Sequence, residues 1–371
     1  MNKTSHVVVV GAGVIGCAVA YELARRGGRV HVIDRREVGQ GATQASAGVL
    51  APYITANAGS QLVELGGRSL DLYDEFVARV VEDSGATVQY VRNGTLEVAR
   101  DTAAASRLQK TACSYRDMGV TADYLDQAAV HDAEPQLSDT VVSGLVVASH
   151  GFVGASDLTR ALRRAAGAHG VTFTPSTSAA KVSRRGDALQ VETPVDAVAC
   201  DAVVIAAGSW SGQIEAEGEE PVPVRPVRGQ LLHLGWPKST PQRVIWTDRC
   251  YLVPWSDGSV LVGATVEEVG FDERATVAGL QELIDMTCDL VPTARKAWFQ
   301  GVRVGLRPGT PDDLPAIGPS ERLPGLFYAT GHFRNGVLLA PLTAQLVADY
   351  VLDGKHDSAL DATSLRRFVA G

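Results

Sequence analysis

Gly11, Gly13 and Gly16, in the run Gly11-Ala-Gly-Val-Ile-Gly16, and the acid Asp34 carry the types and spacing of a dinucleotide site. The first glycine of such a run permits a tight turn. The second lets the backbone approach a pyrophosphate, and the third lets helix pack on strand. Val14 and Ile15 then open a helix whose unpaired N–H groups and dipole attract phosphate. Asp34 falls where a carboxylate accepts a hydrogen bond from a ribose hydroxyl. The motif alone leaves open whether the dinucleotide is a nicotinamide or a flavin.

These residues need a frame, and the flanking sequence supplies one. His6-Val-Val-Val-Val10 reads as a buried strand, and Arg29-Val-His-Val-Ile-Asp34 as a second strand ending in the acid. With 371 residues, the chain is long enough for two domains and a large core. Hydrophobic residues make up 45% and charged residues 20%, the balance of an ordinary globular protein. A net charge of −8 offers no positive field for a nucleic acid, so no nucleic-acid partner is expected. No apolar run reads as a bilayer span, and the N-terminus enters a strand too early for a signal peptide, so a cytoplasmic location is expected. The five cysteines are scattered without a Cys-x-x-Cys, and the eight histidines lack ligand spacing. Neither a disulfide framework nor a metal site is indicated. Cys17 and Cys200 read as small packing residues.

Further along, Gly39 to Pro52 is rich in small residues and reads as a close-packed loop lying against a flat ligand. Periodicity predicts a helix over 60–83 and another over 102–118, with strands over 87–99 and 141–148. Asp157 is placed as the cap of a helix that ends near Gly170. Asp201 to Gly208 reads as a parallel strand buried on both faces. Longer strands follow at 230–234, 250–254 and 260–265, then a helix over 276–290. The chain closes with a strand over 326–330, a loop over 331–336 and a helix ending near Gly354. The predicted fold class is α/β with an α+β second domain. A Rossmann-like nucleotide domain (1–52, 150–224 and 301–371) holds an inserted, sheet-rich substrate domain (53–149 and 225–300).

Over nearly its whole length the chain resembles the D-amino-acid oxidase family of flavoproteins, most closely the glycine oxidases of thiamine biosynthesis. The blocks that carry the resemblance are the N-terminal glycine run, Thr43–Pro52, Ala206-Ala-Gly-Ser-Trp-Ser211, Pro226-Val-Arg-Gly-Gln230 and Cys250-Tyr-Leu-Val-Pro254. Val262-Gly-Ala-Thr265 continues the series. The specific ones are Gly305-Leu-Arg-Pro-Gly-Thr310 and Gly331-His-Phe-Arg-Asn-Gly-Val-Leu-Leu-Ala-Pro341. The resemblance implies noncovalent FAD, because no cysteine lies in Gly301–Arg307 where a related group of enzymes attaches its flavin. It puts Asp34 and Arg35 near the adenosine ribose. Thr43, Ser46, Ala47, Gly48 and Leu50 follow along the pyrophosphate and isoalloxazine. Ala207, Gly208 and Trp210 complete that side. Gly331, His332, Arg334, Asn335, Gly336, Val337 and Leu338 border the pyrimidine side. A helix opening at Gly336 would aim its positive end at flavin N1 and O2.

The same resemblance makes Arg307 the carboxylate clamp, since a guanidinium binds a carboxylate with two parallel hydrogen bonds. Tyr251 adds a second carboxylate contact, and Arg334 lies near substrate or flavin. His332 is a cofactor-side contact rather than a base, because hydride transfer from Cα to flavin N5 needs no base on carbon. The implied activity is oxidative deamination of glycine or another small amino acid or amine. The resemblance further implies O2 as the acceptor, H2O2 as a product, and a homo-oligomer, a tetramer as in the family. A D-amino-acid or D-hydroxyproline dehydrogenase passing electrons to a non-oxygen acceptor, and a catalytically silent flavin-binding subunit, are the competing readings. Arg249, Val266 and Arg303 depart from the family pattern, where histidine, methionine and tryptophan stand. Either the two arginines add positive charge near the site and favour a more acidic or differently shaped substrate, or they point to solvent.

Overall fold

The run His6–Val10 folds as a strand inside a six-stranded sheet of the computed structural model, which describes residues 5–54, 60–237 and 239–368. The strand order is Ala316–Pro319, Leu326–Thr330, Ala202–Ile205, His6–Val10, Arg29–Ile33 and Thr172–Thr174. All neighbours run parallel except Ala316–Pro319, which is antiparallel to Leu326–Thr330. Alternation along the first strand assigns its side chains to two layers. Val7 and Val9 pack with Leu23, Leu158, Leu162 and Val347, on the helices Val14–Arg25, Ala155–Ala168 and Gly336–Asp353. Val8 and Val10 pack with Val182, Leu189 and Val191 of a four-stranded sheet. Burial on both faces is why the run is continuously apolar instead of alternating.

An eight-stranded sheet stands beside this frame. Its order is Trp298–Gly309, Arg225–Gly235, Ser259–Gly263, Tyr251–Pro254, Val244–Trp246, Thr95–Ala99, Ser143–Val147 and Ala122–Leu125. Every pairing is antiparallel except Val244–Trp246 with Thr95–Ala99. A small sheet of Val49–Leu50, Gly151–Val153 and Tyr90–Val91 completes the strands.

Four expectations change. The helix over 60–83 divides into Gln61–Asp71 and Tyr73–Ser84, because Leu72 N bonds back to Ser69 O in a tighter turn. The strand over 87–99 breaks into Tyr90–Val91 and Thr95–Ala99, which join different sheets across a turn at Gly94, φ +86°. Asp157 is not a cap: the helix starts at Ala155 after Gly154, and Asp157 sits in its first turn, paired with Arg160. The expected boundary between residues 300 and 301 falls inside the continuous strand Trp298–Gly309, so Arg307 rides on the eight-stranded sheet. The closing helix Gly336–Asp353 is also long and apolar enough to cross a membrane by length and composition. Its Leu339, Ala340, Leu346 and Val347 lie in the core, which accounts for that composition.

Candidate active site

A cavity of about 690 Å³ opens where the parallel strands end. Val10, Asp34, Ala206 and Thr330, at or just beyond the carboxyl ends of four strands, all line it. Ligands of open α/β sheets bind in this crevice. The glycine turn shapes it. Gly11 has φ +114°, and a Cβ there would lie 2.3 Å from the Ala206 carbonyl oxygen. A Cβ on Gly16 would lie 1.8 Å from the Gly11 oxygen, so this glycine closes the turn behind the cavity and does not line it. The Val14–Arg25 helix begins without a side-chain cap or an acid in its first turn. Thr43 Oγ1 accepts from Val14 N at 3.0 Å, which ties the small-residue loop to the helix start. That loop is close-packed as expected: a Cβ on Gly48 would meet Val153 O at 1.7 Å.

Asp34 accepts from Ala12 N at 2.5 Å and Arg36 N at 2.7 Å. Burial pushes its carboxyl above the usual value, against the pull of those two N–H groups. Two oxygens still have lone pairs for a ribose hydroxyl. Over this side lies Trp210, with the guanidinium of Arg36 4.4 Å and that of Arg35 5.3 Å from its ring centre. Arg36 also holds Glu273 through two bonds of 3.0 and 2.6 Å, and Phe271 packs on Trp210 at 5.7 Å. The segment around 271–273 thereby latches the eight-stranded sheet over the nucleotide side.

The rest of the lining comes from that sheet. Tyr251 faces Gly263 across an antiparallel pair, and a Cβ on Gly263 would lie 2.4 Å from its ring. Trp246 stacks on Tyr251 at 4.9 Å. Arg307 lies over Gly229, where a Cβ would meet its Nη2 at 2.3 Å. Its Nη1 donates to Thr265 O at 3.0 Å and to Arg228 O at 3.3 Å, and it contacts the Tyr251 hydroxyl. Burial lowers the Arg307 pKa and raises that of Tyr251, while Arg307 and Arg334 pull the phenol back down. Among the described residues no carboxylate pairs with Arg307. Arg228 next door is different: Glu267 at 2.5 Å and Asp272 at 3.3 Å neutralise it. Burial pushes Glu267 up, but bonds from Arg228, Gln230 and Thr265 outweigh it and hold the carboxyl near 2. One guanidinium is structural, and the other is open to a ligand.

The helix Gly336–Asp353 points a second N-terminus at the cavity, again with no side-chain cap and no acid in its first turn. His332 is buried, bonds Thr343 at 3.0 Å through Nε2 and is pushed down to about 3 by burial. It is neutral at ordinary pH. Arg334 is exposed at the cavity and lies over Phe333 at 5.1 Å. Two helix starts, an engaged acid and glycine-cleared walls in one cavity fit a large anionic dinucleotide with a planar ring.

A family model described as FAD-dependent oxidoreductase, DAO, matches residues 6–350. The chain belongs to this family. Its cofactor is FAD, and it is an FAD-dependent oxidoreductase. The chain is 33% identical to the glycine oxidase of Geobacillus kaustophilus, across 100% of this chain and 98% of that protein. It superposes on the crystal structure of a glycine oxidase from that organism with a TM-score of 0.94 and 32% identity, covering 99% of this chain and 100% of the other. It is also 34% identical to the bifunctional protein ThiO/ThiG of Trichormus variabilis, over 98% of this chain. There it spans about half, 55%, of the relative's length.

Most of the residues anticipated for the DAO-family cofactor line the cavity, from Gly11, Gly13, Val14 and Ile15 through Asp34, Arg35, Thr43 and Ser46. Ala47, Gly48, Ala207, Gly208 and Trp210 do so as well, as do His332, Arg334, Asn335, Gly336 and Val337. Gly16, Leu50, Gly331 and Leu338 stand outside the lining. Leu50 and Leu338 are buried in the core, and Gly331, φ +71°, packs against Thr310 and Ala316. Arg36, Thr177, Trp246 and Phe333 line it without having been anticipated. Arg36 had a readable signal, since it follows the acid that ends the second strand. Of the departures from the family pattern, Arg249 and Val266 line the cavity, whereas Arg303 stacks over Trp255 at 5.6 Å and does not.

Proposed function

We propose that the protein oxidises the CH–NH2 group of glycine or another small amino acid or amine, with O2 as acceptor. The balanced conversion takes amino acid, water and O2 to 2-oxo acid, ammonia and H2O2. When bound, FAD supplies the two-electron acceptor. The observation that carries the reading is Arg307: a guanidinium oriented by two backbone carbonyls, beside the Tyr251 hydroxyl, with no carboxylate ion-paired to it among the described residues. It fixes the substrate carboxylate by two parallel bonds, and Tyr251 adds a third. His332 stays neutral and holds its ring through Thr343, so the reading assigns it no proton transfer. Residues 53–149 and 225–300, with the strand Trp298–Gly309, serve as the substrate-binding part.

The test is anaerobic bleaching of the yellow holoenzyme by glycine, sarcosine, D-alanine and D-proline, followed by peroxide and dye assays in air. Bleaching with stoichiometric peroxide supports the oxidase. Dye reduction without peroxide would assign a different acceptor, and no bleaching by any amine would refute the reading.

A further inference from the structure

Arg249 is a cavity-lining cation that the proposed reaction leaves unused. A compact turn presents it: Thr247 N donates to Cys250 O at 2.8 Å, while Thr247 Oγ1 accepts from Arg249 N at 3.1 Å and Cys250 N at 2.9 Å. The turn leads directly into the strand that begins with Tyr251, so Arg249 and the substrate-clamp tyrosine share one short, hydrogen-bonded scaffold. Several arginines that tie this fold together are paired with acids. Arg36 holds Glu273, Arg68 holds Asp357, Arg228 holds Glu267 and Asp272, and Arg367 holds Asp312. Among the described residues Arg249, Arg307 and Arg334 have no such partner, and all three line one cavity.

The acids of that lining do not balance them. Asp34 belongs to the nucleotide side, with Ala12 N and Arg36 N on its carboxylate. Asp248 is exposed and forms no ion pair with Arg249 among the described residues. A monocarboxylate amino acid engages Arg307 and Tyr251 and leaves Arg249 unsatisfied. Arg249, two residues before Tyr251 on the same turn-and-strand scaffold, is left available to a second carboxylate.

We propose that the preferred substrate is an amino or imino dicarboxylate, with Arg307 and Tyr251 holding one carboxylate and Arg249 the other. This rests on the amine-oxidising reading above and deepens it. Arg249 is the specificity residue and Val266, half-exposed and apolar, borders the same space without competing for the anion. Because Arg249 is exposed at the cavity, its contribution is that of a partly screened charge-assisted pair, worth about 5–10-fold in selectivity. It weakens as salt rises.

The test uses FAD-loaded enzyme and isosteric pairs that differ only in charge: D-aspartate against D-asparagine, and iminodiacetate against its monoamide. The expected kcat/KM ratio favours each acid by about 5–10-fold in the wild type, falls to about 1 in Arg249→Met and returns in Arg249→Lys. The first pair reports a carbon-linked second carboxylate and the second a nitrogen-linked one. An independent readout is the perturbation of flavin absorbance by malonate against acetate, with the malonate advantage lost in Arg249→Met. Bleaching by D-asparagine or D-alanine but by neither dicarboxylate overturns the inference and leaves amine oxidation standing. A ratio that Arg249→Met does not move also overturns it. No bleaching by any of these amines overturns both.

Discussion

Arg307→Ala removes a cavity-lining guanidinium that the fold orients and, among the described residues, leaves without an ion-paired carboxylate. In the wild type Nη1 is held by Thr265 O and Arg228 O, so the side chain is positioned before substrate arrives. A hydrogen bond to a charged group contributes about 1.5–3 kcal/mol net, and a bidentate pair somewhat less than twice that. The loss to the transition state is therefore about 2–4 kcal/mol, or roughly 30- to 700-fold in kcat/KM. Most of it should appear in KM, because the carboxylate is bound before and during reaction alike. Arg307→Lys keeps the charge but not the fork and should recover part of the loss. The protein itself should not suffer equally: the variant frees two carbonyl acceptors but also removes a cation whose burial lowers its pKa. The assay is steady-state kinetics at equal flavin content, with acetate binding followed by flavin absorbance as a control. If Arg307→Ala keeps wild-type KM and acetate affinity, or loses activity only by losing FAD, the clamp argument fails.

Other consequences follow from the same geometry. Gly263→Ala puts a Cβ 2.4 Å from the Tyr251 ring, so it should cost about 1–3 kcal/mol in strain and raise KM by displacing the phenol; a normal KM would contradict the packing. Asp34→Ala strips the acceptor from Ala12 N and Arg36 N as well as from the ribose, and should weaken FAD binding about 10–100-fold in a fluorescence titration of apoprotein. His150 and His332 are both held near 3 by burial, against 6.5 when unfolded. The unfolded chain thus binds more protons between those values, and each histidine should subtract up to about 1.4 kcal/mol per pH unit as pH falls from 6.5 toward 3. Denaturant unfolding across that range should show the decline, and its slope should shrink in His150→Gln.

How much of this could be read in the chain depends on whether a signal is local. The turn Gly11–Gly16 and the acid Asp34 were legible because backbone geometry imposes residue type within a few positions. The helix starts at Val14 and Gly336 were legible for the same reason. Trp210 is legible as a cofactor contact, but its cover of Arg36, Glu273 and Phe271 is not, since that latch joins residues 237 positions apart in sequence. The break at Leu72 was invisible because hydrophobic periodicity continues through it. The strand Trp298–Gly309 was missed as a unit, and with it the sheet to which Arg307 belongs. Its outer residues Trp298 and Phe299 are exposed, so no alternation of buried and polar positions announces it.

One signal in the sequence was available and general. Glycine inside a strand weakens it, and its presence marks a place where something approaches the backbone closely. Gly229, Gly263 and Gly305 all sit in strands of the eight-stranded sheet. Gly229 clears the space taken by Arg307, Gly263 that taken by Tyr251, and Gly305 that taken by Ala45 of the cofactor-side loop. Arg307, Tyr251 and the contact between the sheet and the Ala45 loop are therefore each written twice, once as the residue that fills the space and once as the missing side chain beneath it. Tyr251 faces Gly263 directly across its strand pair, whereas Arg307 pairs with Val227 and reaches diagonally over Gly229, so each lies against a neighbouring strand where a side chain is missing. That posture lets Arg307 and Tyr251 present their polar groups along the cavity wall.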